Sequence, residues 1–267
     1  HAAIEANHVQ KVASQTDLAS DELEDRFAHA FDHPKEDVDW TGEKRSDAKD
    51  DGGAMVRAYA RETAPSIQPA VVEQSVLIPL RSASGPLPPL MTRLDLVDTS
   101  HIITDFKTKS KAPDPDDANA SGQLTAYEVA HRSAFREPSA GQRLIHYTRP
   151  LKKNPRLARV FEQPTTRSDE QIGTYLRHAR AVAVQIAVSV QTGDFPLADP
   201  KSWACSASWC GYFQVCPGGQ ARRTSVVSGD PLATWRKEAD RVAGGSAPTK
   251  DGALGKATAE ESQEARP

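Results

Sequence analysis

Apolar residues recur with two different periods along the chain. Between residues 71 and 107 they crowd into short runs: Val71, Val72, Val76, Leu77 and Ile78, then Leu94, Leu96 and Val97, then Ile102, Ile103 and Phe106. Short runs rich in β-branched residues predict strands. Helical spacing surrounds them. Leu18, Leu23, Phe27 and Phe31 predict a helix over residues 17–31, with Asp21, Glu22 and Glu24 near its start, where the helix dipole favours acids. Weaker patterns predict helices over 1–12 and 54–63, the second ended by Pro65. Residues 33–53, polar and acidic with Pro34 and a Gly-Gly pair, read as a surface connection, and 82–89 as a Pro-rich loop. A helix is expected over 119–133, carrying Leu124, Tyr127, Val129 and Ala130, and a hairpin over 142–148 and 157–161. Ser168-Asp169-Glu170 caps a long helix stopped by Gly193, and its apolar run from Ala181 to Val190 predicts deep burial. The pattern as a whole is α/β, with a mixed central sheet flanked by helices.

Composition narrows the picture. The 267 residues are 38% hydrophobic and 26% charged, enough for a core. No run of ~18 apolar residues is present, so no membrane span is expected. There is no basic-then-apolar leader. The chain opens on His1, directly inside a helical pattern, and so reads as a fragment whose beginning is missing. Its three cysteines, Cys205, Cys210 and Cys216, are odd in number and clustered. That argues against a disulfide framework and for a metal or cluster site in a reducing compartment, here the cytoplasm. Residues 1–227 are expected to form one domain. Residues 228–267, poor in large apolar side chains, are expected to form a disordered tail. Net charge is only −3, but its distribution is uneven. Residues 17–51 are acidic. Between Arg132 and Arg159 lie Arg136, Arg143, Arg149, Lys152, Lys153 and Arg156 against one acid, Glu137, a composition that suits a phosphate backbone.

Asp95, Asp105 and Lys107 stand among residues that want burial, and carboxylates in such strands need an explanation. Asp105 and Lys107 share one strand face. Asp95 joins them only if the turn centres on Ser100; a two-residue Thr99-Ser100 turn would pair Asp95 with Thr104 and separate the acids. Two carboxylates and the Phe106 main-chain carbonyl would suit Mg²⁺ and metal-assisted hydrolysis, with Lys107 orienting the nucleophile or offsetting developing charge. An exposed hairpin of alternating charges is the competing reading.

Asp95, then Asp105-Phe106-Lys107-Thr108, then Gln123 and Tyr127 resembles the RecB-like branch of the PD-(D/E)XK nuclease superfamily, over roughly residues 1–220. Thr92 departs from the glycine common before the first aspartate. The resemblance implies a restriction-endonuclease-like core and Mg²⁺- or Mn²⁺-dependent hydrolysis of DNA, with exonucleolytic action in recombination, repair or phage-type DNA processing. It makes Asp95, Asp105 and Lys107 catalytic. It makes His1, Asp95, Asp105 and the Phe106 carbonyl metal ligands, and it sets Gln123, Tyr127 and Glu73 to position substrate. Arg143, Arg149, Lys152, Lys153 and Arg156 would touch the DNA backbone. Cys205, Cys210 and Cys216 resemble the C-terminal cysteines of iron–sulfur members, whose 4Fe-4S cluster takes a fourth cysteine upstream of His1. Zinc completed by a histidine, or plain buried cysteines, are the other readings of this segment. Partners implied are DNA and other recombination or repair proteins. The rival functions are a non-catalytic DNA-binding module on the same fold and a hydrolase of another phosphate ester.

Overall fold

The computed structural model describes residues 1–218 apart from 84, 152, 153, 155, 156, 200 and 208. Two compact units divide the chain, His1–Asp194 and Phe195–Pro267. The first holds a five-stranded sheet in the order β1 (Pro69–Ser82), β2 (Gly85–Asp98), β3 (Ile102–Lys109), β4 (Gly141–Thr148) and β5 (Arg159–Thr165). Neighbours are antiparallel except β3 and β4, which run parallel and are joined through α4 (Asp117–Ala120) and α5 (Gly122–Phe135). A parallel pair needs such a crossover. The sheet is therefore mixed, as the apolar pattern leads one to expect.

One core gathers Leu96, Phe106, Ile145 and Tyr147 with residues of α1 (Ala2–Ser14), α2 (Ser20–Asp32) and α3 (Arg45–Ala58). The other gathers Val97, Ile103 and Leu144 with Leu124, Tyr127 and Ala130 of α5 and Ile172 of α6 (Asp169–Thr192). Alternation along β3 thus sends Phe106 toward α1–α3 and Ile103, Asp105 and Lys107 toward α5. Ser121 caps α5 by accepting from Leu124 N, and Ser168 with Gln171 closes a capping box on α6.

Three expectations are corrected. The polar stretch 33–53 is half helix, because α3 starts at Arg45 and runs through Gly52-Gly53. Gly52 is where the Phe27 ring of α2 lies on the α3 backbone, and a Cβ there would clash with Phe27 Cζ. At Gly53 a Cβ would meet only the Arg57 guanidinium at 3.5 Å. Gly53→Ala is therefore expected to gain ~0.5–1 kcal/mol of stability from helix propensity. Gly52→Ala is expected to lose stability despite the same propensity gain, because the Phe27 ring must move. Thermal melts of the two variants check this.

The prolines of the Pro-rich stretch lie in strand: β2 begins at Gly85 and includes Pro86, Pro88 and Pro89. This outer part of β2 pairs only with β1, and the pairing of β2 to β3 is confined to Leu96↔Thr104 and Val97↔Ile103. A strand bonded on one side tolerates proline. Finally, α6 does not bury its apolar run. Val182, Ile186, Val188 and Val190 are exposed, while Ala183 and Ser189 are buried. Alternate positions on a helix point to nearly opposite sides, so a run with period two cannot all meet the sheet.

In the second unit, described from Phe195 to Gly218, Cys205, Cys210 and Cys216 lie on successive tight turns: Cys205 N donates to Ser202 O, Cys210 N to Ser206 O and Cys216 N to Tyr212 O. The tail from 228 to 267 lies outside the described residues. No helix among the described residues is long and apolar enough to cross a membrane.

Candidate active site

The β2–β3 turn decides whether the two aspartates meet. Its residues are Thr99, Ser100 and His101; His101 takes a left-handed conformation at φ 61°, and its N–H donates to Asp98 O at 2.9 Å. This is the three-residue type of hairpin loop. Asp98 Oδ1 holds it by accepting from Ser100 N and Ile102 N, each at 2.9 Å. The resulting register, Leu96↔Thr104, sets Asp95 opposite Asp105 when extended by one residue. The turn centres on Ser100, and the alternative Asp95–Thr104 pairing is not formed.

Beyond that point the β2–β3 pairing stops, which leaves Phe106 without a β2 partner while it stays in register with Ile145 of β4. Phe106 N lies 3.4 Å from Asp95 Oδ2, and Phe106 O lies 3.1 Å from His1 Nε2. His1 stands at the head of α1, with Nε2 4.0 Å from Asp95 Oδ2 and Nδ1 3.8 Å from Glu73 Oε1. From the α5 side, Tyr127 donates to Asp95 Oδ1 at 2.8 Å. Gln123 Nε2 reaches Tyr127 Oη at 2.6 Å and Asp105 Oδ1 at 3.3 Å. Lys107 Nζ donates to Asp105 Oδ1 at 2.9 Å. Gln123 and Tyr127 thus hold the carboxylates themselves.

Asp105 is wholly buried, and its Oδ2 has no hydrogen-bond partner. Burial, reinforced by the neighbouring Asp95 and only partly offset by Lys107, pushes its carboxyl up to about 7. Glu73 is also raised, first by burial and then by Asp95. It carries a left-handed φ of 50° at the β1 position facing Asp95, a strained conformation for a residue with a Cβ. The group is short of positive charge as it stands. No three His, Cys, Asp or Glu side chains among the described residues, the cysteines included, are gathered closely enough to close on an ion. The donor chemistry nevertheless fits a hard divalent cation: two carboxylates, the Phe106 carbonyl and the imidazole that meets it, around an unsatisfied oxygen.

Several residues here escape a reading of the strands alone. Arg93 Nε pairs with Glu73 Oε2 at 2.7 Å and places a half-exposed cation beside the acids. His146, buried on β4, is in register with Lys107 and faces the same side. Period-two alternation marks His146 as a candidate, but only the β3–β4 register brings it to Lys107. The nearby His8, seven residues after His1, is a core residue: it is packed on Phe106, near Tyr59 Oη at 3.0 Å, and pushed down to about 4 by burial.

The expected DNA-backbone cations divide. Arg143 is only 11% exposed and is bound to Asp98 Oδ2 at 3.2 Å and Thr104 Oγ1 at 2.8 Å, with Glu162 at 3.6 Å. The expectation that it faces DNA meets a buried ion pair instead. Arg149 is half-exposed and donates to Glu43 at 3.0 Å. Lys152, Lys153 and Arg156 lie outside the described residues.

A mixed sheet flanked by helices, with this acid and lysine set at its centre, has the restriction-endonuclease-like architecture. The family profile of the PD-(D/E)XK nuclease superfamily matches residues 1–217, and the chain belongs to that superfamily. No curated protein matches it. The crystal structure of SSO0001 aligns at 15% identity and a TM-score of 0.34, covering 56% of this chain and 60% of that one. The chain therefore spans less than two thirds of that protein's length.

Proposed function

We propose that this chain is a metal-dependent deoxyribonuclease of the RecB-like branch, acting from strand ends with Mg²⁺ or Mn²⁺. The observation that carries this reading is Asp105: a buried carboxylate with one unpartnered oxygen and a raised proton affinity, beside Asp95 and the Phe106 carbonyl that meets His1. Asp95, Asp105, Phe106 O and His1 would hold the ion. When bound, it supplies positive charge to the phosphate under attack and makes water a better nucleophile near neutral pH.

The chain's own residues do the rest. Lys107, tethered to Asp105, would orient the attacking water and offset charge as the phosphorus–oxygen bond to the leaving group breaks. Tyr127 and Gln123 keep the two carboxylates aimed into the site. Arg93 holds Glu73. Cys205, Cys210 and Cys216 would supply three thiolates of a 4Fe-4S cluster. Recombination or repair of DNA, with the proteins that serve it, is the setting this chemistry suits.

The deciding experiment is cleavage of linear single- and double-stranded DNA with Mg²⁺ or Mn²⁺ by wild type, Asp105→Ala and Lys107→Ala. Wild type is expected to shorten labelled strands from an end, and each variant to be slower by ~10²-fold or more. Equal rates in all three proteins, or none in wild type with either metal, would leave a non-catalytic DNA-binding module as the better account.

A further inference from the structure

Arg167 lies between the end of β5 and the start of α6 and is buried, at 7% exposed. Every acceptor of its guanidinium is neutral. Nε donates to Thr125 Oγ1 at 2.8 Å, and Nη1 to Thr165 Oγ1 at 2.8 Å and Thr166 O at 3.0 Å. Nη2 donates to Ala118 O at 2.7 Å and Ser121 O at 3.1 Å. Burial lowers its proton affinity, and the field of Glu128 offsets this only in part. A buried cation that no carboxylate pairs is costly and needs a reason. The donor count supplies one. A guanidinium alone carries five N–H groups in one fixed plane, so it can tie several segments together at once.

The segments tied are the end of β5, α4 and the first turn of α5. Between α4 and α5 stands the single residue Ser121, which ends one helix and caps the other. The junction's own backbone bonds are long: Ser121 N to Ala118 O and Thr125 N to Ser121 O are each 3.3 Å. Arg167 bonds the same two carbonyls more closely, and Thr125 Oγ1 besides. Just past this junction come Gln123 and Tyr127, which reach the metal-site carboxylates. Tyr127 Oη donates to Asp95 Oδ1 at 2.8 Å, and Gln123 Nε2 lies 3.3 Å from Asp105 Oδ1. A swing of α5 about Ser121 would displace both of them.

We propose that Arg167 is a positioning residue of the metal site, acting through Tyr127 and Gln123. It fixes the start of α5, and α5 in turn keeps Asp95 and Asp105 in place. This rests on the nuclease reading above only in taking those carboxylates as metal ligands. It adds a residue that bonds neither of them. A residue that merely closes the core would cost stability and leave the metal affinity of the folded protein as it is. Groups that orient metal ligands from outside change that affinity by ~10–100-fold when removed.

The test is calorimetric titration of Mn²⁺ into wild type, Arg167→Lys, Arg167→Gln, Tyr127→Phe and the double variant Arg167→Lys with Tyr127→Phe. Each titration is made well below the protein's melting temperature, so the constants refer to folded molecules. The site followed is the one that Asp105→Asn abolishes. Arg167→Lys keeps the charge and loses the fork, and Arg167→Gln removes the buried charge as well. Both are expected to bind Mn²⁺ ~10-fold more weakly than wild type. Tyr127→Phe removes the hydroxyl that meets both Asp95 and Gln123. In that background Arg167→Lys should add less than about twofold, because the two residues act along one route. Affinity within about twofold of wild type in both Arg167 variants, or an equal loss in both backgrounds, overturns the proposal. So does failure of both variants to fold, which would make Arg167 a residue of the fold alone. Weakened Mn²⁺ binding in the variants without DNA cleavage by wild type keeps the positioning role and counts against the nuclease reading. Wild type that binds no Mn²⁺ overturns both.

Discussion

Asp105→Asn is expected to remove DNA cleavage by ~10³-fold or more and, at the same time, to stabilise the metal-free protein at pH 8. Both effects follow from one buried carboxylate. Its ordinary value is 3.8, and burial beside Asp95 holds it at about 7 in the folded chain. A raised carboxyl makes the folded state the better proton binder. The stabilisation this gives is fully present below the ordinary value and is lost as pH rises through about 7. At pH 8 the folded wild type therefore carries a buried charge that asparagine lacks. A shift of this size corresponds to roughly 4 kcal/mol. Lys107 loses its partner in the variant, so a net gain of about 1–2 kcal/mol is expected, or ~2–8 °C in Tm. The gain should vanish near pH 4. Saturating Mg²⁺ should raise the wild-type melting temperature at pH 8 and leave that of Asp105→Asn unchanged. Melts at the two pH values, with and without the metal, read all of this. A variant less stable than wild type at pH 8 would show that the contacts Asp105 makes with Lys107 and Gln123 outweigh the cost of its buried charge.

Arg143→Ala carries the second large effect, and it falls on stability. Arg143 and Asp98 form an ion pair in which both side chains are about nine-tenths buried. Removing one partner leaves the other charged and uncompensated, which costs ~3–5 kcal/mol. The expected fall in Tm is roughly 6–20 °C. Asp98 is also the residue that shapes the β2–β3 turn, so the variant should lose cleavage beyond what its unfolded fraction explains. A role on the DNA backbone would look different: little change in melting, with weaker binding and a shallower salt dependence. Melting curves together with DNA titrations over a range of salt separate the two.

Much of the molecule is legible without coordinates because its signals are local. The start of α6 is written in Ser168, which caps it and is followed by the Gln171 that closes the capping box. Strand identity is written in the β-branched runs. The errors arise where a local preference is overridden by what packs against it. Gly52-Gly53 looks like a breaker until Phe27 is placed on Gly52. Pro86, Pro88 and Pro89 look like a loop until β2 is seen to have one partner there. The α6 run looks buried by composition, although its period of two faces both ways. Arg143 looks like one more cation of a basic stretch until Asp98 is found beside it.

By itself the sequence determined the candidates: Asp95, Asp105 and Lys107 stand out as charges among apolar strands, His1, Gln123 and Tyr127 are added by the resemblance, and strand alternation puts Asp105 and Lys107 on one face. Only the tertiary structure decided whether they meet. The three-residue turn brings Asp95 opposite Asp105, and the parting of β2 from β3 bares the Phe106 carbonyl to His1. It also set Arg143 to brace that turn. The reason is physical. Alternation and capping act within a few residues, whereas register, ion pairing and cavities depend on segments far apart in the chain that meet only when the whole sheet closes.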